Sequence, residues 1–219
     1  QVLNDNSGNG YSGFIGENTG ADDYDAGWSS GFFSTNTSGC ATIENVNFTQ
    51  SGPYTIHVAV RADSDQTHST PRMISFRGTD SSGSNVSLQY STYGSQFTID
   101  RHANYSNQTS LDPLDGDWHL ISYVENDEDY FVYVDGVLDF SSTINTPFTW
   151  GAVQEVVFGG ARCGVDHFVG DFAYLSLYDV AQSPREIFES NASIRDTLMI
   201  QGVTLPEDVD ADGDGYYSF

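Results

Sequence analysis

The chain has 219 residues, of which 38% are hydrophobic and 14% aromatic; that is enough apolar material for one sizeable core, and its 22 glycines with many Asn, Ser and Thr point to frequent turns and an all-β fold. Thirty-one acidic residues face seven basic ones, every one an arginine, for a formal charge of −24. Such a surface repels phosphate backbones and anionic headgroups, which argues against nucleic acid and membranes as partners and favours cations; solubility alone is the plainer reading of the acidity.

Residues 1–39 are rich in Gly, Asn, Asp and Ser and read as loops with short strands. Tyr24 and Trp28 are candidate ligand-stacking aromatics there, beside an acidic run, Asp22-Asp23-Tyr24-Asp25, that is a solvated loop or a weak cation site. A strand is expected over 40–48, and another over 53–61, PYTIHVAVR, whose alternation places Tyr54, Ile56, Val58 and Val60 on one face. His57 falls on the other face, where a sheet-surface position is expected. Short strands follow at 73–77, 84–90 and 96–101 in the rhythm of a sandwich. Residues 102–110 read as a loop carrying two further ligand candidates, His102 and Tyr105.

Residues 118–140, WHLISYVENDEDYFVYVDGVLDF, carry the firmest pattern: three antiparallel strands, expected in the middle of one sheet. The polar run 125–129 should be an exposed hairpin tip, and Asp135-Gly136 signals a type I′ turn. A strand at 154–158 leads into a loop with Asp166 and His167, the last two ligand candidates. Residues 168–178, FVGDFAYLSLY, should form a long strand covered on both faces or central in its sheet. Ser183-Pro184-Arg185-Glu186 has the form of a capped helix start, with the helix expected to fray near Ser190. Residues 197–205 then look extended and available to a neighbour's sheet edge.

No run of about 18 apolar residues encodes a membrane-spanning helix. Cys40 and Cys163 are the only cysteines, and a single disulfide is the simplest reading for a secreted or cell-surface protein, with two buried thiols the alternative. Six Asn-x-Ser/Thr sequons, at Asn36, Asn47, Asn85, Asn104, Asn107 and Asn191, fit export.

The stretches GDWHLISYV, YFVYVDG, FGG, FVGDFAYLSLYD and SPREI resemble, in order and spacing, the laminin-G-like, concanavalin A-like jelly-roll domains of secreted proteins, over about residues 41–188. The resemblance implies a two-sheet antiparallel jelly-roll sandwich with one short C-terminal helix, and ligand or calcium sites on rim loops or a concave face. Similar domains often carry Asp-Asp where this chain has Ala173-Tyr174, so a cation role tied to those acids is not carried over.

In the tail, DVDADGDGYYSF, taking Asp210 as first ligand puts Asp212 third, Asp214 fifth, Gly215 at the sharp turn, the Tyr216 carbonyl seventh and Ser218 ninth. This resembles the start of an EF-hand-type Ca2+ loop of dockerin-like or thrombospondin-type repeats, lacking its twelfth-position acid, as a fragment of a longer protein would. The expected division is a jelly-roll domain over 1–196 and an extended tail over 197–219.

The jelly-roll glucanase pattern Glu-x-Asp-x-x-Glu has no counterpart here; the nearest run, from Glu125, ends in Tyr130 and sits at a hairpin tip. The expectation is a non-catalytic adhesion or glycan-binding module of a calcium-dependent surface protein, its partners a glycan or another surface protein. The alternative is a structural subunit or spacer of a filament or surface layer, assembled from copies of itself by strand exchange and calcium. A glycoside hydrolase ranks third.

Overall fold

The computed structural model describes residues 2–4, 12–15, 27–29, 32–35, 40–48, 53–66, 69–78, 86–91, 96–101, 104–108, 115–126, 129–143, 153–161, 165–200 and 202–205. Among these, fifteen strands form two antiparallel sheets, and a single helix follows them. The first sheet takes β1 (Val2–Asn4), β2 (Ser12–Ile15), β5 (Ala41–Phe48), β7 (Arg72–Gly78), β8 (Val86–Ser91), β9 (Gln96–Arg101), β10 (Asn104–Gln108) and β14 (Val153–Phe158), in the order β1-β2-β5-β14-β7-β8-β9-β10. The second takes β3 (Gly27–Ser29), β4 (Phe32–Thr35), β6 (Tyr54–Ala62), β11 (His119–Glu125), β12 (Asp129–Val134), β13 (Val137–Thr143) and β15 (Gly170–Tyr178), in the order β13-β12-β11-β6-β15-β4-β3. The expected jelly-roll sandwich is the observed architecture.

Alternation fixes which side chains meet between the sheets. From β6, Tyr54, Ile56, Val58, Val60 and Ala62 point inward; from β11, Ile121 and Tyr123; from β12, Tyr130, Val132 and Val134; from the facing sheet, Ala41, Ile74, Phe76, Val156 and Phe158. All are buried, and each fully buried aliphatic or aromatic side chain contributes about 1.5–3 kcal/mol. Gly170 is required where β15 begins, because a Cβ there would run into the Arg61 carbonyl oxygen and the Phe168 ring.

The three-strand meander is as read, and Asp135 and Gly136 both adopt positive φ, 51° and 89°, as a type I′ turn demands. Its placement differs: β13 is a sheet edge rather than the middle. The hairpin tip differs too, since Glu125 is buried and its Oε2 accepts hydrogen bonds from the Tyr54 hydroxyl at 2.8 Å and the Tyr123 hydroxyl at 2.6 Å. Two phenols supply what water would otherwise give the carboxylate. Residues 104–108, expected as loop, pair as an edge strand with β9.

Helix α1 (Pro184–Ile200) runs well beyond Ser190. Its start is the expected capping box: Glu186 Oε2 accepts from the Ser183 N–H and hydroxyl, both at 2.7 Å. Its length comes from packing. Ile187, Asn191, Ile194 and Leu198 make one buried stripe against the outer face of the second sheet. The end is a Schellman motif, with Gly202 at φ 82°, Gly202 N–H donating to the Met199 carbonyl and Val203 N–H to the Leu198 carbonyl. That turn returns the chain to the sheet, where Val203 and Leu205 are buried with Ala59, Trp118 and Leu120. The segment 197–205 is therefore helix, cap and packed return rather than a free extended strand.

Candidate ligand-binding cleft

Beside the start of the helix, the outer face of β6 buries two polar residues, Thr55 and His57. His57 is fully buried, not at the surface: its Nε2 lies 2.8 Å from Gln182 Oε1 and its Nδ1 2.8 Å from Ser122 Oγ. A carbonyl oxygen can only accept, so Nε2 carries the proton and Nδ1 accepts from the serine. Burial pushes the His57 pKa down to about 4, against the lesser opposing effect of the Gln182 bond, so the ring is neutral near pH 7. The connector into the helix is strapped to the same strand, Thr55 Oγ1 donating to the Val180 carbonyl at 2.8 Å and accepting from Gln182 N–H at 3.0 Å. Asn191 is also fully buried, its Oδ1 3.2 Å from Ser122 Oγ, where it competes as an acceptor with His57 Nδ1 for the one serine proton.

Beside this network, a cleft of about 300 Å³ opens between α1 and β15. Tyr174 and Tyr178 share one face of β15 and form its floor; Gln182 closes one end; Glu186, Glu189, Ser190 and Ser193 come from one helical stripe, with Ile194 at its border. The Tyr178 ring, 37% exposed, stands edge-on to the buried His57 ring at 5.6 Å and 85°. Burial raises the Tyr174 hydroxyl pKa, and that hydroxyl interacts with Ser176 and Tyr178. Glu186 is held below its ordinary pKa by the Ser183 backbone and hydroxyl, and Glu189 accepts from Arg185 Nε at 2.8 Å. An aromatic floor with acceptors along one wall suits a hydroxylated, weakly polar ligand.

The residues singled out in the sequence lie elsewhere. Trp28 and Tyr105 are on β3 and β10, edge strands of different sheets. Asp166, at φ 53°, forms an ion pair with Arg72 (Oδ2 to Nε 3.2 Å) and its carbonyl accepts from the Arg72 backbone N–H at 2.9 Å, tying the loop before β15 to β7; His167 follows it, half-buried. Tyr24, His102 and the loop residues Asp210, Asp212, Asp214, Tyr216 and Ser218 lie outside the described residues. Cys40 is buried and disulfide-bonded; Cys163, the other cysteine, lies outside them too.

Groups that resemble catalytic machinery are already engaged. Burial alone would lower the His119 pKa, but Asp135 Oδ2 on Nδ1 at 2.7 Å and Asp115 on Nε2 at 3.1 Å outweigh it and raise the pKa. Both ring nitrogens are thereby occupied. Ser122 and His57 form a hydroxyl–imidazole pair, yet both are wholly buried.

The botulinum neurotoxin serotype D ligand binding domain, solved in complex with N-acetylneuraminic acid, matches with a TM-score of 0.67 at 13% identity, over 86% of this chain and 47% of that one. The receptor binding domain of the botulinum neurotoxin C/D mosaic serotype matches with 0.65 at 12% identity, over 86% and 48%. A mutant of Trypanosoma rangeli sialidase displaying trans-sialidase activity matches with 0.64 at 16% identity, over 84% of this chain and 30% of that one. The likeness at these identities is one of fold, and the chain spans about half the length of the botulinum domains. No curated protein matches by sequence. A family model does, over residues 34–188, and by that match the chain belongs to the Concanavalin A-like lectin/glucanases superfamily.

Proposed function

We propose that this domain is a non-catalytic, extracellular adhesion or glycan-binding module of a larger, calcium-dependent surface protein. The observation that carries the reading is the cleft between α1 and β15, where two tyrosines, a glutamine, two serines and two glutamates meet at an opening of about 300 Å³, at the lower edge of the range for small-molecule sites. A hydrolytic reading would want a carboxylic acid with a raised pKa facing a second carboxylate. In the cleft, Glu186 is shifted the other way. The lectin-type scaffold and the glycan named with one structural neighbour support the same reading. Among the described residues the filament reading has less support, because Val203 and Leu205, its candidate donor strand, are buried against the chain's own sheet.

Glycan-array binding by the whole chain, with and without Ca2+, tests the reading; binding to no glycan in either condition would sink it. The Ca2+ part rests on the alternating acids Asp210, Asp212 and Asp214. Calorimetric titration checks it separately, and the absence of heat at millimolar Ca2+ would remove it.

A further inference from the structure

The charge of the cleft narrows its ligand. Among the described residues, two carboxylates, Glu186 and Glu189, line it, and no Arg, Lys or His does. The neighbouring guanidinium, Arg185, is not among the lining groups and pairs through Nε with Glu189 on the exposed side of the helix. The Glu186 bonds use Oε2 and the Glu189 bond uses Oε1, so each glutamate keeps a second oxygen for an incoming donor. Sugar hydroxyls are such donors, and hydrogen bonds to ionised acceptors are the stronger kind. A ligand carboxylate placed there would meet like charge on a chain already at −24.

Resting on the glycan-binding reading, we infer that the α1/β15 cleft takes a neutral sugar ring and rejects sialic acid. The ring packs on Tyr178, with Glu186, Glu189 and Ser193 receiving its hydroxyls. Tyr178 is set for this before any ligand arrives. Its ring packs T-shaped with that of His57, which is itself fixed by Ser122 and Gln182, so stacking costs little side-chain ordering. Tyr178 and Gln182 thus link the open cleft to the buried polar layer.

The test uses the whole chain in saturation-transfer NMR and calorimetry against methyl glycosides of glucose, galactose and mannose, N-acetylglucosamine and N-acetylneuraminic acid. Three chains are compared: the unaltered protein, Tyr178→Ala, and Ser193→Trp, which fills the cleft from an exposed helix position and leaves the strand untouched. Circular dichroism melting shows whether each variant is folded. The expected result is binding of at least one neutral sugar, none of N-acetylneuraminic acid, and a loss of about tenfold or more in both variants. Neutral-sugar binding undiminished in folded Ser193→Trp would overturn the site and leave the glycan-binding reading standing. Binding of N-acetylneuraminic acid alone would overturn the ligand class. Binding of no sugar here or on the array would overturn both the inference and the reading beneath it.

Discussion

From Tyr54 to Val60 the two faces of β6 are equally dry and differently held. Inward, Ile56, Val58 and Val60 meet aliphatic and aromatic neighbours from both sheets, and shape alone decides what fits. Outward, Thr55 and His57 meet the connector into the helix through hydrogen bonds, and donor must match acceptor. The inner face gives the larger share of stability through burial. The outer face fixes one seating of the helix, because sliding it by a turn would take the buried Asn191 away from Ser122. A dry apolar layer tolerates rearrangement; a dry polar layer does not.

Ile56→Ala strikes the inner face hardest, with an expected loss of about 4 kcal/mol from transfer and cavity together. Urea denaturation measures it, and a loss below about 1 kcal/mol would mean that the inner layer collapses around the gap.

On the outer face, pH is the sharper tool. The folded pKa of His57, about 4, lies below its ordinary 6.5, so its contribution is complete above pH 6.5 and falls away as the pH drops towards 4. The full amount is about 3 kcal/mol. His119 has the opposite sign: its folded pKa is raised by Asp135 and Asp115, so its contribution is present below pH 6.5 and is lost as the pH rises through the folded value. Stability–pH curves of His57→Asn and His119→Asn, each subtracted from that of the unaltered protein, should slope in opposite senses. Slopes of the same sign would refute the assignment.

Glu125→Ala, which leaves the Tyr54 and Tyr123 hydroxyls without their shared carboxylate, should cost about 2 kcal/mol. Ser183→Ala removes the helix cap and should cost about 1 kcal/mol. If the polar layer seats the helix, that variant will also weaken amide-exchange protection in α1 before it affects β6.

What the sequence made legible was local. Aromatic and β-branched alternation marked β6, β11, β12 and β15, and Asp135-Gly136 marked its turn. Helix α1 ran past its expected end because Ser190, Asn191, Ser193 and Thr197 are weak helix formers, and its continuation depends on a stripe packed against strands far away in sequence. The burial of His57 was hidden for the same reason, its partners lying 65 and 125 residues away. Glu125 looked like a loop acid because its neighbours 126–129 are polar, and one of its phenols comes from 71 residues upstream. The cleft could not be read from either of its walls. Tyr174 and Tyr178 suit a core strand and Glu186 to Ser193 suit a solvated helix face; only the fold sets one against the other.

The burial of Asn191 bears on how the protein is made. Asn191-Ala192-Ser193 is an acceptor sequence for N-linked glycan, yet the asparagine has no exposed surface and sits against Ser122. Glycan is added to asparagine during synthesis, ahead of final folding. A host that modifies this sequon would attach a bulky sugar to the underside of α1 and prevent the helix from docking, whereas a host without that machinery would leave the docking surface intact. Yield of folded protein should therefore depend on the expression host, and Ser193→Ala, which destroys the sequon from the exposed side of the helix, should remove that dependence.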